Sequence, residues 1–350
     1  MTGRSGSTRW TATSVALVCA MALAACGGGK TKTTTSPATT AASQPQGSGT
    51  ITMRAGLNDP QDPNIAVLQF LPQSLTVAAG STVEWRITGP EPHTVTFLPP
   101  GQTPPPPNQA QPLFAPTPPA NGRYDGKSLV NSGLVPQGPN PAPPFRLTFP
   151  DSGRFTYHCV IHPQMVGTVN VVAPGAPADT QAVVDSRSNN ELNQWLAEGR
   201  AAKQKLLQTP PTTTKSANGS TTWTIEMGVS TAHADVPAFQ PASSAVKAGD
   251  TVTFVNNSTA PHTASFAGKG TLPQNPDEPA AENPTPGPSP QTLNPTDVFN
   301  TGVVPPDAPP GAGPPAAARR YSYLVKTPGT YNYVCIFHLP SGMAGSIRVT

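Results

Sequence analysis

Charge is what this sequence has least of. Only 11% of its 350 residues are Asp, Glu, Lys or Arg, and the formal net charge is +3. Two of the positive charges, Arg4 and Arg9, sit in a leader expected to be removed, so the rest of the chain is nearly neutral. That excludes nucleic-acid binding through a basic patch. Long apolar runs are missing too. The run at residues 15–23 is short for a membrane span, which takes about 20 residues. Cysteine is scarce, with four in all, and no His-x-His pair occurs among the six histidines. What is abundant is proline, 47 residues, and glycine, 31, which point to turns and loops in place of long helices.

The N-terminus reads as a secretory signal peptide over residues 1–25, with two arginines, an apolar core and small residues before a cleavage point. Leu23-Ala24-Ala25-Cys26 resembles the lipobox of bacterial lipoproteins. The resemblance implies lipidation of Cys26 and an extracytoplasmic protein, lipid-anchored to the bacterial cell membrane. Ordinary cleavage nearby and an uncleaved anchor are the alternatives. Residues 26–50, opening on three glycines and rich in Thr, Ser and Ala, read as a flexible tether. With Cys19 removed and Cys26 lipidated, only Cys159 and Cys335 are left. Two thiols in an oxidising compartment invite a disulfide, which any metal reading has to beat.

The remaining sequence carries one unit twice. LTVAAGSTVEW, PHTVTF, NSGLVP, GRFTYHC and MVGTVNVV recur in order as SAVKAGDTVTF, PHTASF, NTGVVP, GTYNYVC and MAGSIRVT. His93 lies 13 residues after Gly80, and His262 lies 13 after Gly249. The shared pieces alternate polar and apolar residues, as in Thr82-Val83-Glu84-Trp85 and Tyr331-Asn332-Tyr333, and predict strands. Many short strands with Gly/Pro turns predict an all-β fold of two domains, residues 51–173 and 216–350, each an antiparallel sandwich or barrel. Between them, 174–215 is a linker with a helix that runs from Ser/Asn caps near residue 188 to Pro210-Pro211. Leu192, Trp195 and Leu196 form its expected apolar face, packed on one domain. Proline-dense insertions at about residues 99–144 and 268–315 read as solvated loops, with a lid as the alternative.

Each copy holds the same chemical set in the same order: His93, Cys159, His162 and Met165, then His262, Cys335, His338 and Met343. Cys-x2-His is common to both, while Met follows that His by three residues in one copy and five in the other. One thiolate and two imidazoles with a weak thioether suit copper cycling between Cu(I) and Cu(II). Zinc accepts Cys and His but has little use for Met. A disulfide would leave the duplicated His and Met unexplained, and a catalytic Cys–His pair would not predict the Met.

On these residues each copy resembles a cupredoxin, the blue-copper family of plastocyanin, amicyanin and pseudoazurin. The loop of Cys159, His162 and Met165 is similar to that of amicyanin, and the loop of Cys335, His338 and Met343 to that of plastocyanin. The resemblance implies Greek-key β-sandwiches, with the long Pro-rich insertions as departures, and one type 1 copper in each of two domains. It also implies electron transfer with redox partners of the cell envelope, and His162 and His338 near the surface where electrons enter. His158, beside Cys159, has the position of a second-copper ligand in nitrite reductases and multicopper oxidases. No further histidine of that kind follows His93, and strand alternation turns His158 outward. His233 stands isolated in a loop. A copper-binding or delivery protein without a redox partner is the main alternative, and a nitrite reductase-like enzyme the other.

Overall fold

Strand alternation sets the architecture. In the computed structural model, which describes residues 44–45, 49–135, 143–272, 290–307 and 316–350, the repeated segments are strands of paired sheets. The signal peptide, Cys26 and most of the tether lie outside the described residues. So do parts of both insertions. Gly329–Val334 shows the pattern plainly: Tyr331 and Tyr333 are buried, while Thr330 and Asn332 are exposed. In the first copy Ser74–Ala78, Val166–Val172, Gly153–His158, Thr96–Phe97 and Val130–Asn131 make one five-stranded sheet. In the second, Ser243–Val246, Ala344–Val349, Gly329–Val334, Ser265–Phe266 and Phe299–Asn300 make another in the same order. Each faces its own half of a larger sheet, and the fold is all-β, built of β-sandwiches with one α-helix among the described residues.

That larger sheet runs through both copies. Asp62–Leu71 of the first pairs antiparallel with Ala234–Gln240 of the second, through Ala234↔Val67 and Asp235↔Ala66. A strand at such a seam is covered on both faces, and from Ile65 to Leu71 every residue is buried. Phe70 enters the first core, whereas Ile65, Val67 and Leu71 meet Trp195 and Leu196 of the helix. Ala66 and Leu68 pack with Ala260 of the second copy. Gln69, also buried, donates to the carbonyls of Gln164 and Ala232, one from each copy.

The helix spans Gln181–Gln208 and starts earlier than the Ser/Asn reading placed it. Thr180 is its cap, accepting from the Val183 N–H, and Ser188 is buried in its interior. It lies across the seam, packing on strands of both copies, because its apolar face meets residues of both Asp62–Leu71 and Ala234–Gln240. Trp195 stacks on His233, which also bonds Glu198 at 2.9 Å. The tether reading changes at its end: Gln44–Pro45 pairs with Pro177–Ala178, and a strand begins at Thr50. The first insertion is more than solvated loop, since Tyr124 is buried among Phe97, Phe149 and Phe155.

Arg200 on the helix grips Asp59 at 2.6 and 2.9 Å. That guanidinium holds the Asp59 carboxyl below the usual carboxylate range, against the opposing effect of burial. Stability from a depressed carboxylate is present above its unfolded pKa and is lost as pH falls through the folded one. Arg200→Ala is therefore expected to lower stability near neutral pH and to flatten its decline below about pH 4, checked by urea unfolding across pH.

Candidate metal centres

Four segments build each centre. The backbone of His93 pairs with Val135, and that of His262 with Val304, so the NSGLVP and NTGVVP segments hold the first histidine in place. The second histidine, the cysteine and the methionine come from the loop after Gly153–His158 or Gly329–Val334. In both loops the Cys N–H donates to the Met carbonyl at 3.0 Å, and the Met N–H donates back to the second histidine's carbonyl. The two loops differ in length but close through the same pair of bonds.

The side chains converge. In the first centre the Nδ1 atoms of His93 and His162 are 3.0 Å apart, and Cys159 Sγ lies 3.8 and 3.5 Å from them. In the second, Nδ1 of His262 and His338 are 3.0 Å apart, and Cys335 Sγ lies 3.8 and 3.3 Å away. An ion with nitrogen about 2.0 Å and sulfur about 2.3 Å distant sets trigonal donors about 3.5 Å apart. The edges of each triangle, 3.0 to 3.8 Å, bracket that value, with the two nitrogens closest together. Met165 and Met343 are buried in the same core clusters as Cys159 and Cys335. Both cysteines are free, so no disulfide joins them.

A second layer repeats as well. Thr94 N–H points at Cys159 Sγ from 3.4 Å, and Thr263 N–H at Cys335 Sγ from 3.3 Å. The Thr94 hydroxyl accepts from Val160 N–H at 2.9 Å, and a chain of hydroxyls leads through Thr96 to Asn131. Thr263, Ser265 and Asn300 repeat it. Thr94→Val keeps the shape but leaves the buried Val160 N–H unpaired. It should cost about 1–3 kcal/mol of metal-free stability, measured by urea unfolding.

Two glycines of the site escaped the sequence reading. Gly56 and Gly228, both at positive φ in bulges of the first strand of each copy, stand against the first histidine. A Cβ on Gly56 would lie 1.8 Å from His93 Nε2, and one on Gly228 2.7 Å from His262 Nε2. Aligning the MRAGL and IEMGV segments of the two copies was the available signal.

Electrostatics prepares three of the four histidines as neutral ligands. Burial pulls His93 and His262 well below the ordinary histidine value, aided by the neighbouring imidazoles. Burial brings His162 down to about 4. Burial also pushes the Cys159 thiol up, so a metal must displace its proton. His338 differs: burial depresses it, but Glu91 and Cys335 outweigh that and raise it well above the usual value.

The expectation of exposed electron portals fails. His162 and His338 are only 4% and 2% exposed, because both point into the seam between the copies. His338 Nε2 meets Glu91 of the first copy at 3.2 Å. Each ring meets the other copy: His162 lines a cavity with Thr231 and Thr259, and Glu91 lies against His338. His158, half-buried, belongs to neither triangle.

Plastocyanin of Scenedesmus fuscus is 34% identical over 111 residues, covering 32% of this chain and 85% of that protein. The chain belongs to the cupredoxin family. Among solved structures, a Cu(I) methionine mutant of amicyanin has 20% identity and a TM-score of 0.23, covering 35% of this chain and 83% of that one. An oxidised proline mutant of amicyanin has 20% identity and a TM-score of 0.23, covering 38% and 95%. No family model matches the chain. Against the cupredoxin pattern, the two long insertions and the buried second histidines are this chain's own departures.

Proposed function

We propose that this cupredoxin is an extracytoplasmic electron-transfer protein with two copper domains, residues 51–173 and 216–350. His93, Cys159, His162 and Met165 would hold one type 1 copper, and His262, Cys335, His338 and Met343 the other. Copper supplies a one-electron couple there. The chain supplies a thiolate steadied by a backbone N–H, imidazole donors and a buried, rigid surround that resists rearrangement between oxidation states. The observation that carries this reading is the pair of sulfur–nitrogen–nitrogen triangles with the same supporting hydroxyl chain. The plastocyanin relative supports it. Partners would be redox proteins of the cell envelope, met at a membrane held through lipid on Cys26.

The burial of His162 and His338 favours a second reading, a copper-holding protein without a redox partner. Copper titration with visible and paramagnetic spectra separates them. Two equivalents per chain giving intense, reversibly bleached blue bands support electron transfer. A colourless protein that holds only Cu(I) supports the second reading, and an added type 2 signal with nitrite or oxygen turnover would revive the enzyme.

A further inference from the structure

The two centres repeat each other closely in their triangles and hydroxyl chains, and part on the far side of the histidines. His262 Nε2 bonds Ser258 at 2.8 Å where His93 Nε2 has no partner among the described residues, and the second histidines differ more. His338 Nε2 lies 3.2 Å from Glu91 Oε2, and Ser341 Oγ donates to the other oxygen at 3.5 Å. Glu91 is buried, and belongs to the first copy, two residues before His93. The matching place in the second copy, two residues before His262, is Ala260, which packs with Ala66 and Leu68. His162 instead lines a small cavity with Leu68, Gln69 and Thr259; the charge of Glu91 reaches it, but no acidic side chain among the described residues bonds to it. One centre is thus completed by a carboxylate from the other copy, and the reverse does not hold.

A buried carboxylate is costly unless it is bonded, so Glu91 has a stated occupation. An Nε2–H held by a carboxylate fixes the tautomer, leaving the Nδ1 lone pair toward Cys335 and His262. It also makes the imidazole a stronger donor. A stronger, partly anionic donor favours the more highly charged ion, Cu(II) over Cu(I).

Resting on the two-copper reading above, we propose that Glu91 is a positioning residue of the second centre. It makes the two coppers unlike, with the lower reduction potential at Cys335. The seam between the copies is then part of a metal site as well as a packing surface. A carboxylate removed from such a position weakens metal holding about 10-fold to 100-fold. If that falls on Cu(II) alone, it raises the potential by about 60–120 mV at 59 mV per tenfold.

The test uses Glu91→Gln, which keeps the shape and an acceptor oxygen while removing the charge. In a Cys159→Ser background only the second centre remains, and the potential is expected to rise by that amount. In a Cys335→Ser background only the first remains, and Glu91→Gln should move it by distinctly less, because Glu91 reaches His162 only through space and makes no bond to it. Equal shifts in both backgrounds, or none in either, would overturn the proposal. Nitrogen-15 spectra of the copper-free protein supply an independent readout. The His338 Nε2–H is expected as a downfield, slowly exchanging signal in wild type, and to move upfield and exchange faster in Glu91→Ala. An unchanged His338 Nε2–H signal counts against the positioning role whatever the copper content. A wild-type protein that binds no copper, in which Glu91→Ala still alters that signal, would instead sink the two-copper function and leave the contact itself intact.

Discussion

Cys159→Ser is expected to remove one of two intense thiolate-to-copper absorption bands, and Cys335→Ser the other. Only a thiolate sulfur mixes strongly enough with Cu(II) to give such a band, and a serine oxygen in the same place does not. The loss in each variant should be complete at one centre and leave the second untouched. The two cysteines lie in separate core clusters, and each Sγ contacts only its own pair of histidines. Serine is smaller than cysteine and can accept from the same Thr94 or Thr263 N–H, so the sandwich should persist. Copper per chain, from metal analysis, should fall from two to one in each variant. If either substitution abolished both bands, or neither changed the spectrum, the ligand assignment would be wrong.

Gly56→Ala is the second large effect, and it reaches the metal through a backbone position that no ligand motif contains. The added Cβ would fall 1.8 Å from His93 Nε2, far inside contact distance, and the strand offers no rotamer to relieve it. Positive φ at a non-glycine residue costs about 1–2 kcal/mol, and overpacking adds about 1–3 kcal/mol. The first centre should lose its copper, with metal-free stability lower by about 2–5 kcal/mol, as read by metal analysis and urea unfolding. Gly228→Ala should be milder. Its Cβ would be 2.7 Å from His262 Nε2, and the main loss is the 2.8 Å bond from that nitrogen to Ser258. A Gly56→Ala protein with a full first-centre band would show that His93 is free to move and is not clamped by the bulge.

Both effects rest on features of different legibility. The ligand set was readable because it is written twice, in the same order, with Cys-x2-His as a local anchor. The strands were readable for a similar reason, since Tyr331 and Tyr333 alternate with Thr330 and Asn332 on a two-residue period. The helix was readable in kind but not in its start. Thr180 caps it, and Ser188, which looked like a cap, is covered by packing that local sequence does not encode. Gly56 and Gly228 carry no motif of their own, and their role exists only where a bulge meets a ring from 30 or more residues onward.

The sequence alone determined the donor chemistry: one thiol, two imidazoles and a thioether in each copy, beside strands whose alternation marks the buried face. Tertiary structure alone decided which surfaces are left open. Ala234 and Asp235 pair with Val67 and Ala66, the helix covers that join, and the rings of His162 and His338 are closed into the seam. Glu91 reaches His338 across some 250 residues of chain, and nothing in either local segment marks the pair. The physical reason is range. Alternation and ligand spacing act over a few residues, whereas burial at a seam depends on how two complete sandwiches meet.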